Sequence, residues 1–108
     1  LARRPAVDIA SLLELVGTQR DSAMLRLTLG RLLGARGDLE QAEAHLEAAL
    51  AMDRGYTAAW KELGRIRQQN DDPVGAADAW RQGIETARER GDKQAEKEMT
   101  VFLRRLTR

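Results

Sequence analysis

Residues 57–90 read TAAWKELGRIRQQNDDPVGAADAWRQGIETARER, and the 34 residues before them, 23–56, read AMLRLTLGRLLGARGDLEQAEAHLEAALAMDRGY. Set one under the other, they agree at spaced positions rather than in runs. Leu29 falls on Leu63, Gly30 on Gly64, Arg31 on Arg65, Asp38 on Asp72, Ala42 on Ala76, Leu46 on Trp80 and Leu50 on Ile84. Spacings of three and four put the apolar members on one stripe of a helix. Each stretch breaks once, at an Asp that begins a second stripe. A period carrying two helices describes a helical hairpin, and a hairpin buries its apolar face only by stacking on neighbours.

The rest of the chain extends the pattern in both directions. Pro5, Ile9, Leu12, Leu13, Val16 and then Gly17 predict a short amphipathic first helix with a glycine C-cap. Asp21 or Ser22 caps a second helix carrying Leu25, Leu29, Leu32 and Leu33 and ending near Gly37. Asp38, with Gln41 placed as in a capping box, opens a third with Leu39, Ala42, Leu46, Ala49 and Leu50, which Gly55 closes. A fourth spans Thr57 to Asn70, with Trp60, Leu63, Gly64 and Arg67 on one side. Asp72-Pro73 opens a fifth, burying Ala76, Ala77, Trp80 and Ile84 and ending at Gly91. Asp92 opens the last, with Ala95, Met99, Phe102 and Leu106. Gly30 and Gly64 sit mid-helix, where glycine costs about 1 kcal/mol against alanine. Close approach of the paired helix, through the small residues Ala42 and Ala76, compensates that cost, while Trp60 and Trp80 fill the space between hairpins.

Trp60, Leu63, Gly64, Ala76, Trp80 and Ile84 follow the order and spacing of the tetratricopeptide repeat, a family the chain resembles over 23–56 and 57–90 and more weakly in the flanking helices. Arg26 departs from it, standing where a large aromatic is usual, as does Gly83 where alanine is usual. Glu98, one further period on, replaces the packing glycine, so the last helix reads as a cap. The resemblance implies an all-α right-handed superhelix of antiparallel hairpins with about six helices. It also implies one domain: an N-terminal half-unit over 1–22, repeats at 23–56 and 57–90, and a capping helix over 91–108. The expected function is that of a small bacterial-type, non-catalytic protein-interaction scaffold.

Composition excludes several other functions. With no cysteine and a single histidine, the chain can form neither a disulfide scaffold, a thiolate zinc site nor a multi-histidine metal site. No nucleophile–base set appears, so neither catalytic residues, metal nor cofactor are expected. His45 reads as a locally bonded histidine, and Asp71-Asp72 as a helix cap. Gly34-Ala35-Arg36-Gly37 lacks the Lys-Ser/Thr of a phosphate loop. No apolar run approaches the ~20 residues of a membrane span. A cytoplasmic location is expected, with a periplasmic one as the alternative because residue 1 is Leu rather than Met.

In such a stack the first helix of each hairpin lines the concave surface. This places Met24, Leu27 and Arg31 with Lys61, Arg65, Gln68 and Gln69 in a partly basic groove, and turns Gly34 toward it. The family's chaperone-tail binders hold a terminal carboxylate with Lys, Asn and Arg. Here Leu27 stands at the first lysine, Arg31 and Glu62 at the asparagines and Glu96 near the final basic position, so that partner is not expected. A protein or peptide bearing an acidic or carboxylate group is, through Arg31, Lys61 and Arg65. The competing reading has these as exposed cations paired to Glu62 or other neighbours. The alternative function is a nucleic-acid-binding repeat: 15 arginines favour it, but a net charge of +1 and four aromatics oppose it. Arg104, Arg105 and Arg108 read as a solvated helix end complementing the macrodipole. Val101 and Leu103 form a candidate second interface for a partner or a weak dimer, with a monomer as the expected state.

Overall fold

A computed structural model describes residues 8–107. It contains α1 (Ile9–Leu13), α2 (Ala23–Ala35), α3 (Leu39–Met52), α4 (Thr57–Gln69), α5 (Pro73–Arg90) and α6 (Lys93–Leu106), and no strand among the described residues. The all-α reading therefore holds, although α1 is a single turn that ends four residues before Gly17. Its start is set by Asp8, whose carboxylate accepts the Ala10 N–H at 3.0 Å; Pro5 lies outside the described residues. Ile9, Leu12, Leu15 and Val16 still pack onto the first core cluster.

One local device is used three times to turn a helix into the next. Gly37, Asp71 and Gly91 adopt left-handed backbone, with φ of 81°, 55° and 70°. The following Asp then donates its N–H back into the finished helix: Asp38 to Leu33 O, Asp72 to Arg67 O and Asp92 to Ala87 O, at 2.8–2.9 Å. Asp72 and Asp92 go on to cap the new helix through their side chains, accepting from Gly75 and Ala95. Asp38 does not, so the expected capping box at Asp38 and Gln41 is absent. Nor does Gly55 close α3: the helix ends at Met52, and the Gly55 N–H donates to the Asp53 carboxylate in the loop beyond.

The hairpins α2–α3 and α4–α5 meet at the two mid-helix glycines. A Cβ on Gly30 would fall 2.6 Å from Leu46 Cγ, and one on Gly64 would fall inside the Trp80 indole. Ala42 and Ala76 are fully buried. The Trp80 N–H donates to Lys61 O at 3.2 Å, so the ring is pinned against α4 by a directional bond as well as by packing. Trp60 is anchored differently: its N–H donates to Arg54 O at 2.9 Å, and the Arg54 guanidinium lies 5.6 Å from its ring centre.

Two core clusters result. One runs from Leu25 to Ile66 and includes Ala79; the other joins Ala76, Trp80, Ile84, Ala87 and Met99, with Ala95, Phe102, Leu103 and Leu106 packed on it. Successive first helices touch, α2 with α4 and α4 with α6, whereas α3 and α5 do not. The stack therefore curves with α2, α4 and α6 on its inner side. On the outer side Arg67 spans the gap, bonding Glu43 at 3.0 Å and Glu47 at 3.1 Å on α3, and Gly75 O at 3.2 Å on α5.

The last helix corrects the expected register. α5 has 18 residues against 14 in α3, while the connection after it is two residues shorter, so α6 begins 36 residues after α4 rather than 34. On this offset Ala59, Leu63 and Ile66 correspond to Ala95, Met99 and Phe102, which do face the core. The counterpart of Gly64 is therefore Thr100, not Glu98. Glu98 instead corresponds to Glu62, and both reach back to the preceding inner helix.

Candidate functional site

The inner side presents two adjoining hollows. The first, of about 190 Å³ between α2 and α4, is lined by Arg31, Gly34, Ala35, Glu62, Arg65, Ile66 and Gln69. The second, of about 250 Å³ between α4 and α6, is lined by Arg65, Gln68, Gln69, Trp80, Phe102 and Arg105. Arg65 and Gln69 belong to both, because they project from the middle helix of the three. Of the residues expected in the groove, Arg31 lines the first hollow, Gln68 the second, and Arg65 and Gln69 both.

Three other groove assignments fare differently. Leu27 is 4% exposed and belongs to the first core cluster, so it is unavailable to a ligand. One repeat on, the same position holds Lys61, whose ammonium reaches α6; the position faces the next inner helix, and an aliphatic side chain there is sealed. Met24 is well exposed but lines neither hollow. The Lys61 side chain is only 24% exposed and bonds Glu98 at 3.4 Å, lining a separate depression with Thr57, Asp92 and Ala95. Gly34 does line the first hollow, yet a Cβ there would meet Ile66 Cδ1 at 2.5 Å, so the position is packed as well as open.

Ion pairing divides the basic residues. Arg31 pairs with Glu62 at 3.8 Å, and Lys61 with Glu98. Arg65 and Arg105 form no ion pair among the described residues. Arg105 is the groove residue that sequence reasoning missed. Its signal was present in the 36-residue offset, which aligns it with Gln69, but the 34-residue period hid it.

Far from this face, Arg26 fills the place of the family's aromatic with a polar network. It bonds both oxygens of Asp21, at 3.0 and 2.9 Å, and approaches His45 Nδ1 at 3.2 Å. The Arg26 bonds and the Gly17 N–H hold the Asp21 carboxyl at about 2. Burial, reinforced by the Arg26 charge, pushes the His45 imidazole below its ordinary value. His45 is thus a local acceptor for Arg26. Val101 is exposed, whereas Leu103 is half-buried against the second core. No group of three His, Asp or Glu side chains could hold a metal among the described residues, and no described helix is long and apolar enough to cross a membrane.

A family model described as tetratricopeptide repeat matches residues 23–66. A Pseudomonas aeruginosa protein named as TPR repeat-containing is 52% identical over 88 residues, covering 82% of this chain and 84% of that one. The solution structure of a Bordetella parapertussis protein superposes with a TM-score of 0.82 at 39% identity, over 96% of this chain and 90% of that chain. A Salinibacter ruber tetratricopeptide repeat domain shares the fold, with a TM-score of 0.75 at 24% identity over 80% and 87% of the two chains.

Proposed function

Because the chain belongs to the tetratricopeptide-repeat family, whose members are in general non-catalytic modules for protein–protein interaction, we propose that it binds a segment of a partner protein along the inner face of α2, α4 and α6. The observation that carries this reading is the pair of adjoining hollows joined by Arg65 and Gln69, with the Arg65 guanidinium left unpaired among the described residues. An unpaired guanidinium in a concave, partly apolar surface offers its planar fork to a carboxylate. The partner segment is accordingly acidic, and Arg31 contributes once Glu62 is displaced from it. Lys61 acts mainly in holding α6 to α4.

The test places a photo-crosslinking amino acid at Gln69 on the inner face, or at exposed Glu40 on α3, in the native cell. A partner captured from position 69 but not from 40, and lost in Arg31→Glu/Arg65→Glu, supports the reading. Affinity for that partner should fall with rising salt. Capture from position 40 alone, or binding indifferent to both the double variant and salt, moves the site to the outer face.

A further inference from the structure

We infer that the inner face reads a two-point motif in an extended partner segment: a carboxylate side chain held between Arg65 and Arg105, and a branched apolar side chain about three residues away, over Gly34, Ala35 and Ile66. This rests on the partner-segment reading above and specifies it.

The two hollows share a wall but differ in chemistry. The α4–α6 hollow is lined by two arginines, two glutamines and no acidic residue. Its floor is aromatic, Trp80 and Phe102 with ring centres 5.4 Å apart, so water is displaced from one side of whatever the arginines hold. A carboxylate there meets two cations that form no ion pair among the described residues. The α2–α4 hollow carries its own acid: Glu62 opposes Arg31 at 3.8 Å. A second carboxylate entering it would compete with Glu62, whereas an aliphatic side chain would cover Gly34, Ala35 and Ile66 at no electrostatic cost.

Spacing follows from the scaffold. Packed helices lie roughly 8–10 Å apart, so neighbouring seams are separated by about that distance. A segment in polyproline II conformation advances roughly 3.1 Å per residue with three residues per turn, which puts two side chains on the same face about three positions apart. Between the seams, the exposed amides of Gln68 and Gln69 can both donate to and accept from the segment's backbone.

The two tryptophans supply a built-in reporter. Trp80 lines the carboxylate subsite, and its indole N–H donates to Lys61 O; Trp60 lines neither hollow, and its indole N–H donates to Arg54 O. Isotope-labelled protein is titrated at millimolar concentration with the blocked peptides Gly-Leu-Ser-Ser-Glu-Gly and Gly-Glu-Ser-Ser-Leu-Gly. Controls carry Gln for Glu, or place Leu and Glu side by side. At least one of the two orientations should shift the Trp80 indole and the Gly34 and Gln69 amides while leaving the Trp60 indole in place. Its Gln form should bind about fivefold more weakly, the upper end for an exposed ion pair. Arg105→Gln should abolish that difference without altering resonances of α2 and α3.

Equal affinity for Glu and Gln peptides, or a preference untouched by Arg105→Gln, overturns the carboxylate subsite. Equal affinity for the adjacent Leu-Glu control overturns the spacing. In those cases shifts confined to the inner face leave the partner-segment reading standing. Shifts confined to α3 and the outer side of α5 overturn both, and no shift with any peptide overturns the motif.

Discussion

The two hairpins, α2–α3 and α4–α5, have one shape and two chemistries. At matching positions the first uses Leu46 where the second uses Trp80, Leu33 where the second uses Arg67, Gly37 where the second uses Asp71, and a silent Asp38 where the second has the capping Asp72. The repeat fixes where a side chain must point and how much room it has; neighbours decide what fills it. Leu33 is 3% exposed, in the middle of the first core cluster. Arg67 occupies the same place one hairpin on, where two glutamates of α3 and a carbonyl of α5 converge to satisfy it. A position in a repeat is thus a geometric role that a hydrophobe or a fully bonded cation can fill.

The sharpest way to break this equivalence is at the helix crossings. Gly64→Leu should cost about 3 kcal/mol by overpacking, since Trp80 is both fully buried and hydrogen-bonded and has nowhere to move. Gly30→Leu should cost less, because the opposing Leu46 is smaller and carries no hydrogen bond to lose. Urea unfolding of both variants checks the order, and equal losses would show that Trp80 yields as readily as Leu46.

Exchanging the occupant tests the second difference. Arg67→Leu, which makes the second hairpin chemically like the first, should cost about 1 kcal/mol at low salt, and the loss should shrink at 1 M salt. A salt-independent loss in thermal unfolding would assign the effect to packing of the arginine stem instead.

Helix starts give a smaller contrast. Asp72→Ala removes a cap and should cost about 1 kcal/mol. Asp38→Ala removes no side-chain cap bond and should cost under about 0.5 kcal/mol by the same measurement. A reversed order would mean that Asp38 caps α3 in solution.

The smallest effect is expected at the Arg26 site, where the first hairpin is polar and the second has Trp60. Burial and the Arg26 charge disfavour the imidazolium in the folded state, so the unfolded chain takes up the proton first, and stability should fall as pH drops below the ordinary imidazole value of 6.5. Asp21 adds a second loss at lower pH. Its carboxyl is held down, so its contribution is full above the ordinary 3.8 and disappears as pH falls toward about 2. His45→Gln should flatten the melting temperature between pH 7 and 5 and leave the acid limb unchanged. A slope that survives in the variant would trace that pH dependence to other groups.

Much of the fold was legible because it follows from short-range geometry. Gly30 and Gly64 announced the helix crossings, and Asp72-Pro73 announced the start of α5. The last helix was misaligned because a fixed period cannot register the extra turn's worth of α5; the apolar stripe through Ala95, Met99 and Phe102 was the better guide. The same error concealed Arg105. Leu27 was placed in the groove because helical spacing gives a direction but not the neighbour that closes over it. Ion pairs such as Arg31 with Glu62 were foreseen as a competing reading, and they reduce the free charge of the inner face without removing it.

With α3 and α5 out of backbone contact, the outer surface is tethered by side chains: Arg67 reaches from α4 to both helices, and Arg90 of α5 pairs with Asp53 at the end of α3 at 3.6 Å. Backbone packing between the hairpins runs through α4, which lies against both α2 and α3. The tether is ionic, so its tension weakens as salt shortens the reach of each charge. Ionic strength therefore acts on both sides of the stack at once: on the arginines that the inner face offers to an acidic partner, and on the ion pairs that link the outer helices.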